Sequence, residues 1–247
     1  MAASGWALIA VAPFVGSFLG VVIRRLPRQQ PYLLGRSHCV HCGAALGIRD
    51  LVPFVSWAAA RACCRSCGAR LGWFYPAVEA AALVIAVLSA SLDHGVAAWI
   101  DFALGCWLLA LAWIDFDHLL LPDALTLPLV LAGLAQAAAL APDELFGRAA
   151  GAACGFVSLA VLAWAYRRSR GREGLGGGDP KLLAAAGAWV GIAALPAVIL
   201  VAAVTGLAAA AGLALGGAAL RRDTAVPFGP FLALATWAVW LFGAPGF

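Results

Sequence analysis

The sequence predicts an all-α, polytopic membrane helix bundle of about eight transmembrane helices with a small cytoplasmic zinc-knuckle loop. Three observations predict it. Of 247 residues, 64% are hydrophobic and only 11% charged, whereas a soluble domain carries about 25% charged residues and 45–50% apolar ones. The apolar residues fall in runs long enough to cross a bilayer. The basic residues gather between alternate runs, all but one on the same side.

A membrane helix needs about 20 mostly apolar residues. Runs of this kind lie at roughly 5–23, 74–92, 96–114, 122–141, 148–166, 182–195, 197–219 and 228–243. The sixth and eighth are short, and the break between the sixth and seventh at Leu195-Pro196 is soft, so seven is the competing count. The first run carries no Lys or Arg ahead of it, is followed by Arg24, Arg25 and Arg28, and ends in no small-residue cleavage site. That is the reverse of a signal peptide, so it reads as a retained helix entering from outside the cytoplasm. The cytoplasmic loops are then 24–73, 115–121, 167–181 and 220–227. They hold every Lys and Arg of the chain except Arg148, including Arg167, Arg168, Arg170, Arg172, Lys181, Arg221 and Arg222. The positive-inside rule fixes this orientation against its opposite. The net charge of +4 follows from that asymmetry, and no basic patch interleaved with aromatics points to nucleic acid. The domain organisation expected is a first transmembrane helix at 1–23, a cytoplasmic loop at 24–73, and a helix bundle at 74–247.

Four of the seven cysteines stand as Cys39-x-x-Cys42 and Cys64-x-x-Cys67 in the long first loop. Two such knuckles are a structural zinc pattern, and the separation here is marginally long for it. Gly43 and Gly68 follow each pair as turn glycines. The cytoplasm disfavours disulfides, so Cys39, Cys42, Cys64 and Cys67 read as ligands of zinc or a similar thiophilic metal. Disulfides and free thiols are the competing readings. Cys63 breaks the spacing to Cys67, and His38 and His41 read as solvated loop residues. Cys106 and Cys154 read as small packing residues. A four-thiolate site has no open coordination position and is structural. It would supply folding energy to a loop with little core of its own.

Of the twelve acidic residues, Asp93, Asp143, Glu144, Glu173 and Asp223 read as solvated loop or helix-end groups, and Asp101 as interfacial. Two groups stand apart. The first is Asp115-Phe-Asp117-His118-Leu-Leu-Leu-Pro122-Asp123 at the end of the third helix. The second is Gly176-Gly177-Gly178-Asp179-Pro180-Lys181 at the start of the sixth. An ionisable group at membrane depth is a functional candidate by default, and both groups come out on the same side of the bilayer. Two carboxylates suit an aspartic peptidase: one takes a proton from water while the other, protonated, polarises the scissile carbonyl. Glycines before Asp179 would admit an extended substrate backbone. Pro180 suits a first helical turn with Asp179 as its N-cap, the competing structural role. For Asp115 and Asp117 the competing role is an interfacial helix end. Lys181 would bias Asp179 toward ionisation. Glu79, in Tyr75-Pro76-Ala-Val-Glu79, is a third intramembrane acid, whose partner would be an arginine of the cysteine loop or the substrate.

At this point the residues resemble the type IV prepilin peptidases, from about residue 12 to 242. The resemblance rests on the paired Cys knuckles flanking Val52-Pro53-Phe54-Val55-Ser56-Trp57, then Tyr75-Pro76-Ala-Val-Glu79. It continues through Ile114-Asp115, Leu121-Pro122-Asp123-Ala-Leu-Thr126-Leu-Pro128 and Gly176-Gly177-Gly178-Asp179-Pro-Lys181, and ends in Pro227-Phe228-Gly229-Pro230. It implies a membrane aspartic peptidase in the 74–247 bundle with a catalytic pair at Asp115 and Asp179. Asp117 is the fallback, and Gly176, Gly178, Lys181 and Glu79 are supporting residues. It also implies substrates among the precursors of pilins and type II secretion pseudopilins, cleaved after a glycine at the cytoplasmic face of the bacterial inner membrane. N-methylation of the new terminus by S-adenosylmethionine is implied too, although no methyl-donor motif is visible. Cys63 stands where a basic residue is common in that family, and Asp50 where an amide is. The rival readings are a proton- or cation-coupled transporter using the same carboxylates, and a non-catalytic assembly factor of a secretion machine. No pattern in the sequence encodes an oligomeric state.

Overall fold

A computed structural model describes residues 3–33, 36–171, 176–216 and 227–243. The cytoplasmic assignments of Arg172, Arg221 and Arg222, and the solvated-loop readings of Glu173 and Asp223, lie outside these residues. Nine α-helices are present among them: α1 Ala3–Arg25, α2 Val55–Ala59, α3 Phe74–Leu92, α4 Val96–His118, α5 Asp123–Leu140, α6 Leu145–Arg170, α7 Asp179–Val190, α8 Leu195–Leu215 and α9 Gly229–Phe242. Extended pairing among the described residues is limited to two isolated bridges, His38 with Ala45 and Cys63 with Arg70.

Six helical spans among the described residues are long and apolar enough to cross a membrane: Ser4–Arg28, Phe74–Leu92, Val96–His118, Asp123–Leu140, Pro142–Arg170 and Leu195–Leu215. The protein is therefore a multi-pass membrane protein, and large apolar side chains such as Phe14, Leu131, Phe146 and Leu207 are exposed on these helices. The two short runs are helices as well. At 12 and 14 residues α7 and α9 are about 18 and 21 Å long, short of the bilayer core. The soft break falls at residues 191–194, where Gly191 at φ 79° ends α7 and Pro196 sits in the first turn of α8.

The chain divides into two compact units, Met1–Cys106 and Trp107–Phe247. In the first, α1 packs along α3. Gly16 lies so close to the α3 backbone that a Cβ there would sit 2.7 Å from the Glu79 Cα, and Gly20 likewise abuts the Tyr75 ring. Small residues let helix backbones approach in a membrane, where apolar burial alone gives no preference for protein over lipid.

In the second unit α7 packs against α5, α6, α8 and α9. Its sequence explains this position. Two Leu lead into a run of Ala and Gly through Leu-Leu-Ala-Ala-Ala-Gly-Ala-Trp, and Asp179–Trp189 are buried apart from Lys181. A helix with no polar face belongs inside. Gly151 and Gly155 of α6 meet it backbone to backbone: a Cβ on Gly155 would lie 2.5 Å from the Leu183 carbonyl oxygen. Gly155→Val is expected to cost about 1–3 kcal/mol by overpacking, read as a lower thermal midpoint in nanodiscs. Gly147→Ala, with nothing within 4 Å of the added carbon, serves as the neutral control. The Trp189 indole donates to the Leu129 carbonyl at 2.9 Å and meets Trp240 edge-on. The buried Arg148 guanidinium lies 5.4 Å from the Trp240 ring and donates to Gln136 and Glu144. The one basic residue assigned outside the cytoplasm is thus tied into the packing at that end of α7.

Candidate active site and metal centre

Asp115 lies in the last turn of α4, and its carbonyl accepts the Leu119 N–H at 2.8 Å. The helix ends there because Leu119 takes a positive φ of 52° and Leu121 precedes a proline, which disfavours helical backbone. The Asp115 side chain is 6% exposed, and its Oδ2 accepts the Gly229 N–H at 3.0 Å. That N–H belongs to the first turn of α9, where the unpaired amides and the helix dipole favour an anion. Glycine at 229 leaves room for this carboxylate, since a Cβ would lie 2.6 Å from Asp115 Oδ2 and the side chain would have to shift. Asp117, two residues on and therefore on the far side of the helix, is exposed.

Asp179 is the first residue of α7, 4% exposed. The competing role of Asp179, the N-cap, falls on Gly178. The Asp179 carboxylate turns back and accepts the Gly176 N–H at 3.0 Å, so it closes the glycine loop instead of capping the helix. Asp115 and Asp179 are close enough to interact electrostatically. Two contacts bring their segments together. Leu121 packs onto Gly178, where a Cβ would lie 2.5 Å from the Leu121 Cβ. Lys181 pairs with Asp123 at 2.5 Å. Lys181, expected to bias Asp179, is therefore engaged by Asp123 and acts as a tie between α7 and the start of α5. The glycines also divide the work differently from the expectation. Gly178 makes room for Leu121, Gly176 faces the Asp179 carboxylate, and only Gly177 has open space around it. Gly229 is the site residue that sequence reasoning missed. Its one signal is the Pro-Phe-Gly-Pro run itself, a glycine flanked by residues that start a helix.

Glu79 belongs to the first unit. It is 4% exposed, accepts the Phe54 N–H at 2.9 Å and is hydrogen-bonded by the Ser17 side chain. A loop arginine, one of the two partners expected for it beside the substrate, is not among these contacts. Phe54 reaches it with φ 56° and ψ −49°, a costly conformation for a residue with a side chain. Beside it lies a cavity of about 300 Å³, whose walls include Arg24, Arg25, Phe54, Trp57, Tyr75 and Glu79. The Trp57 Nε1–H is buried there without a hydrogen-bond partner.

The cysteine loop folds as two matching knuckles. In the first, Cys39 N donates to the Ala44 carbonyl and Gly43 N to the Cys39 carbonyl; in the second, Cys64 N donates to Ala69 and Gly68 N to Cys64. Gly43 and Gly68 hold φ of 70° and 72°, the left-handed turn that glycine takes at no steric cost. The sulfurs of Cys39, Cys42, Cys64 and Cys67 all lie within 4.8 Å of one another, and those of Cys39 and Cys67 are 4.0 Å apart. Tetrahedral zinc with sulfur at about 2.3 Å requires sulfurs roughly 3.8 Å apart, so the donor set fits. Backbone hydrogen bonds from Cys67 and then Ser66 hold the Cys64 thiol down to about 6. Cys67, although the Ala69 N–H lowers it, is pushed up to about 11 by burial and by the three neighbouring sulfurs. His38, His41 and Cys63 stand outside the four-sulfur cluster.

Two family models match the chain: the bacterial peptidase A24 N-terminal domain over residues 10–92, and the type IV leader peptidase family over residues 102–211. A prepilin leader peptidase/N-methyltransferase of Burkholderia pseudomallei (strain 1026b) is 39% identical, over 96% of this chain and 85% of its own length. Proteins of the same description from Aeromonas hydrophila and Dichelobacter nodosus are 38% and 36% identical, each over 93% of this chain and 87% and 88% of theirs. No solved structure matches the chain.

Proposed function

The chain belongs to the type IV leader peptidase family, and from that premise we propose that it cleaves the leader from prepilin and pseudopilin precursors and then methylates the new N-terminal amine. The observation that carries the peptidase reading is the pair Asp115 and Asp179, both buried, near enough for their charges to interact, and each accepting one backbone N–H. We place the active face at the cytoplasmic side of the bacterial inner membrane, on the strength of the Lys and Arg distribution. The loop at 24–73 is the metal-binding module, and the 74–247 bundle carries the peptidase pair. Zinc held by Cys39, Cys42, Cys64 and Cys67 supplies structure and no chemistry, because four thiolates close its coordination.

In the reaction the precursor's apolar helix lies in the bilayer with its basic leader in the cytoplasm. One carboxyl of the pair holds a proton and donates it in a hydrogen bond to the scissile carbonyl. The other takes a proton from water, whose oxygen bonds to the carbonyl carbon. The C–N bond breaks, the proton passes to the leaving amine, and no covalent enzyme intermediate forms. Gly177, the glycine with open space around it, is where a substrate backbone can run closest. S-adenosylmethionine, when bound, supplies the methyl group for the second step.

Gly229→Ala tests whether Asp115 must stand where it does. The added carbon has to displace that carboxylate, and small misplacements of catalytic groups cost up to about 10²-fold in rate. A fall of that order in kcat, with an unchanged thermal midpoint, is expected. The activity itself is tested by incubating the purified protein with a pilin precursor and S-adenosylmethionine, then weighing the product by mass spectrometry. The leader should be lost and the product should be one methyl group heavier than the simple cleavage product. An intact precursor would reject the reading. The transporter reading of the same carboxylates finds no support in the family membership.

A further inference from the structure

We propose that residues 51–60 of the cysteine loop sit in lipid at the edge of the cytoplasmic leaflet, and that the arginines beside them hold anionic phospholipid headgroups. The segment reads Leu-Val-Pro-Phe-Val-Ser-Trp-Ala-Ala-Ala, without a charged residue, between Arg49-Asp50 and Arg61. It includes α2 and has two unlike sides. Phe54, Ser56, Trp57 and Ala60 line the cavity beside Glu79. Val52, Val55, Ala58 and Ala59 are exposed, and the last three fall at helical positions i, i+3 and i+4, on one side. An apolar helix face flanked by arginines is what binds a bilayer surface.

Two rulers set the depth of this segment. α3 has 19 residues, about 28 Å of helix, against a hydrocarbon core of about 30 Å, and Asp93 follows directly at its outer end. The helix has no length to spare, so its first turn lies at the inner edge of the core. Glu79 is the sixth residue of α3, about 7–8 Å further in, and its carboxylate accepts the Phe54 N–H at 2.9 Å. α1 gives a second measure. Gly16 packs on α3 at Glu79, and Arg24, the first charged residue of α1, stands about 12 Å nearer the cytoplasm. Side chains on a helix lean toward its N-terminus, here the cytoplasmic end, so Phe54 lies somewhat shallower than Glu79, at the edge of the core. A backbone N–H at that depth needs a partner in the protein. Those of Val55, Ser56, Ala58, Ala60, Arg61 and Ala62 find carbonyls within residues 52–58, and Glu79 takes that of Phe54. Trp73, 71% exposed at the start of α3, meets Trp57 at 4.3 Å between ring centres, in the belt where tryptophans mark the membrane surface. Residues 24–73 carry eight Arg against one acid, Asp50. Arg49 and Arg61 are exposed on either side of the segment, and their long stems let a guanidinium reach headgroup phosphate from an apolar anchor. The choice of leaflet rests on the cytoplasmic orientation proposed above; the insertion does not.

The insertion is tested on the full chain in nanodiscs containing phosphatidylglycerol. A benzophenone amino acid replaces Val55 or, separately, Ala58, with thermal midpoints as the control for folding. Illumination should give phospholipid adducts at one position or both, as at Leu131 of α5, and none at His41, an exposed residue of the first knuckle. Adducts at Leu131 and at neither 55 nor 58 would overturn the insertion, as would equal labelling at His41. Hydrogen exchange of residues 51–60 reads the headgroup half, in the parent, Arg49→Gln and Arg61→Gln, each in phosphatidylglycerol and in phosphatidylcholine. One basic residue at an anionic surface accounts for about a fivefold change in equilibrium. Each substitution should therefore speed exchange about fivefold in the anionic lipid and leave the zwitterionic value unchanged. Equal changes in both lipids would mark a purely structural role and overturn the headgroup assignment, as would no change in either. Arg36→Lys, labelled by an impermeant amine reagent in sealed vesicles of known sidedness, tests the orientation apart. Label from the cytoplasmic side is expected; label from the outer side alone would defeat the cytoplasmic reading and the leaflet without touching the insertion.

Discussion

Asp179→Asn is expected to lower leader cleavage by about 10²–10⁴-fold, the range for removing a positioned general acid or base. The amide is nearly the same size and its oxygen can still accept the Gly176 N–H, so the loop and α7 keep their contacts. What is lost is the capacity to exchange a proton with water. Asp115→Asn should behave alike, because its amide oxygen can keep the Gly229 N–H. Asp117→Asn should cleave close to the parent rate, since Asp117 is exposed on the other side of α4. Cleavage of a purified precursor in nanodiscs measures all three, with thermal midpoints as the control for folding. Retained cleavage in Asp179→Asn would refute the pair.

Removing the metal is the second large effect. The segment around the knuckles contains the five-residue α2 and two isolated bridges, and among its described residues Cys39, Pro53 and Cys64 are the buried ones. Such a segment cannot stabilise itself by burial. Zinc in small Cys sites contributes roughly 10–16 kcal/mol of apparent binding energy, and in the proposed site that would be mostly folding energy for the loop. Chelation, or Cys64→Ser, should therefore release zinc and raise hydrogen exchange sharply across residues 36–72, while α6 and α7 stay protected. Elemental analysis and hydrogen–deuterium exchange on the same sample check this. Unchanged exchange in metal-free protein would show that the loop holds itself together.

Much of this arrangement was legible in the sequence because it is written locally. Apolar run length gave the helices, and the two Cys-x-x-Cys-Gly repeats gave the four-sulfur cluster, since the turn and its glycine are contiguous. Asp115 and Asp179 stood out as acids among apolar neighbours. The remainder depends on which segments meet. Nothing near Lys181 says that its ammonium goes to Asp123 and away from Asp179. Nothing near Asp115 says that an amide more than a hundred residues later will hold its carboxylate. Gly178 is glycine because Leu121 packs onto it, a constraint visible only once both ends are placed. Gly178 caps α7, and the Asp179 side chain accepts from Gly176 behind it. For Glu79 the sequence offers a loop arginine or the substrate, and nothing near it says that the Phe54 amide will hold it.

The central claim is that Asp115 and Asp179 work as one unit on one water, and a double-variant cycle tests it most directly. Cleavage rates would be compared for the parent, Asp115→Asn, Asp179→Asn and the variant carrying both. Residues that act together are strongly non-additive, so the double variant should be no slower than either single one. A double variant slower by the product of the two single losses would mean that the carboxylates act independently, and the proposed pair would not stand.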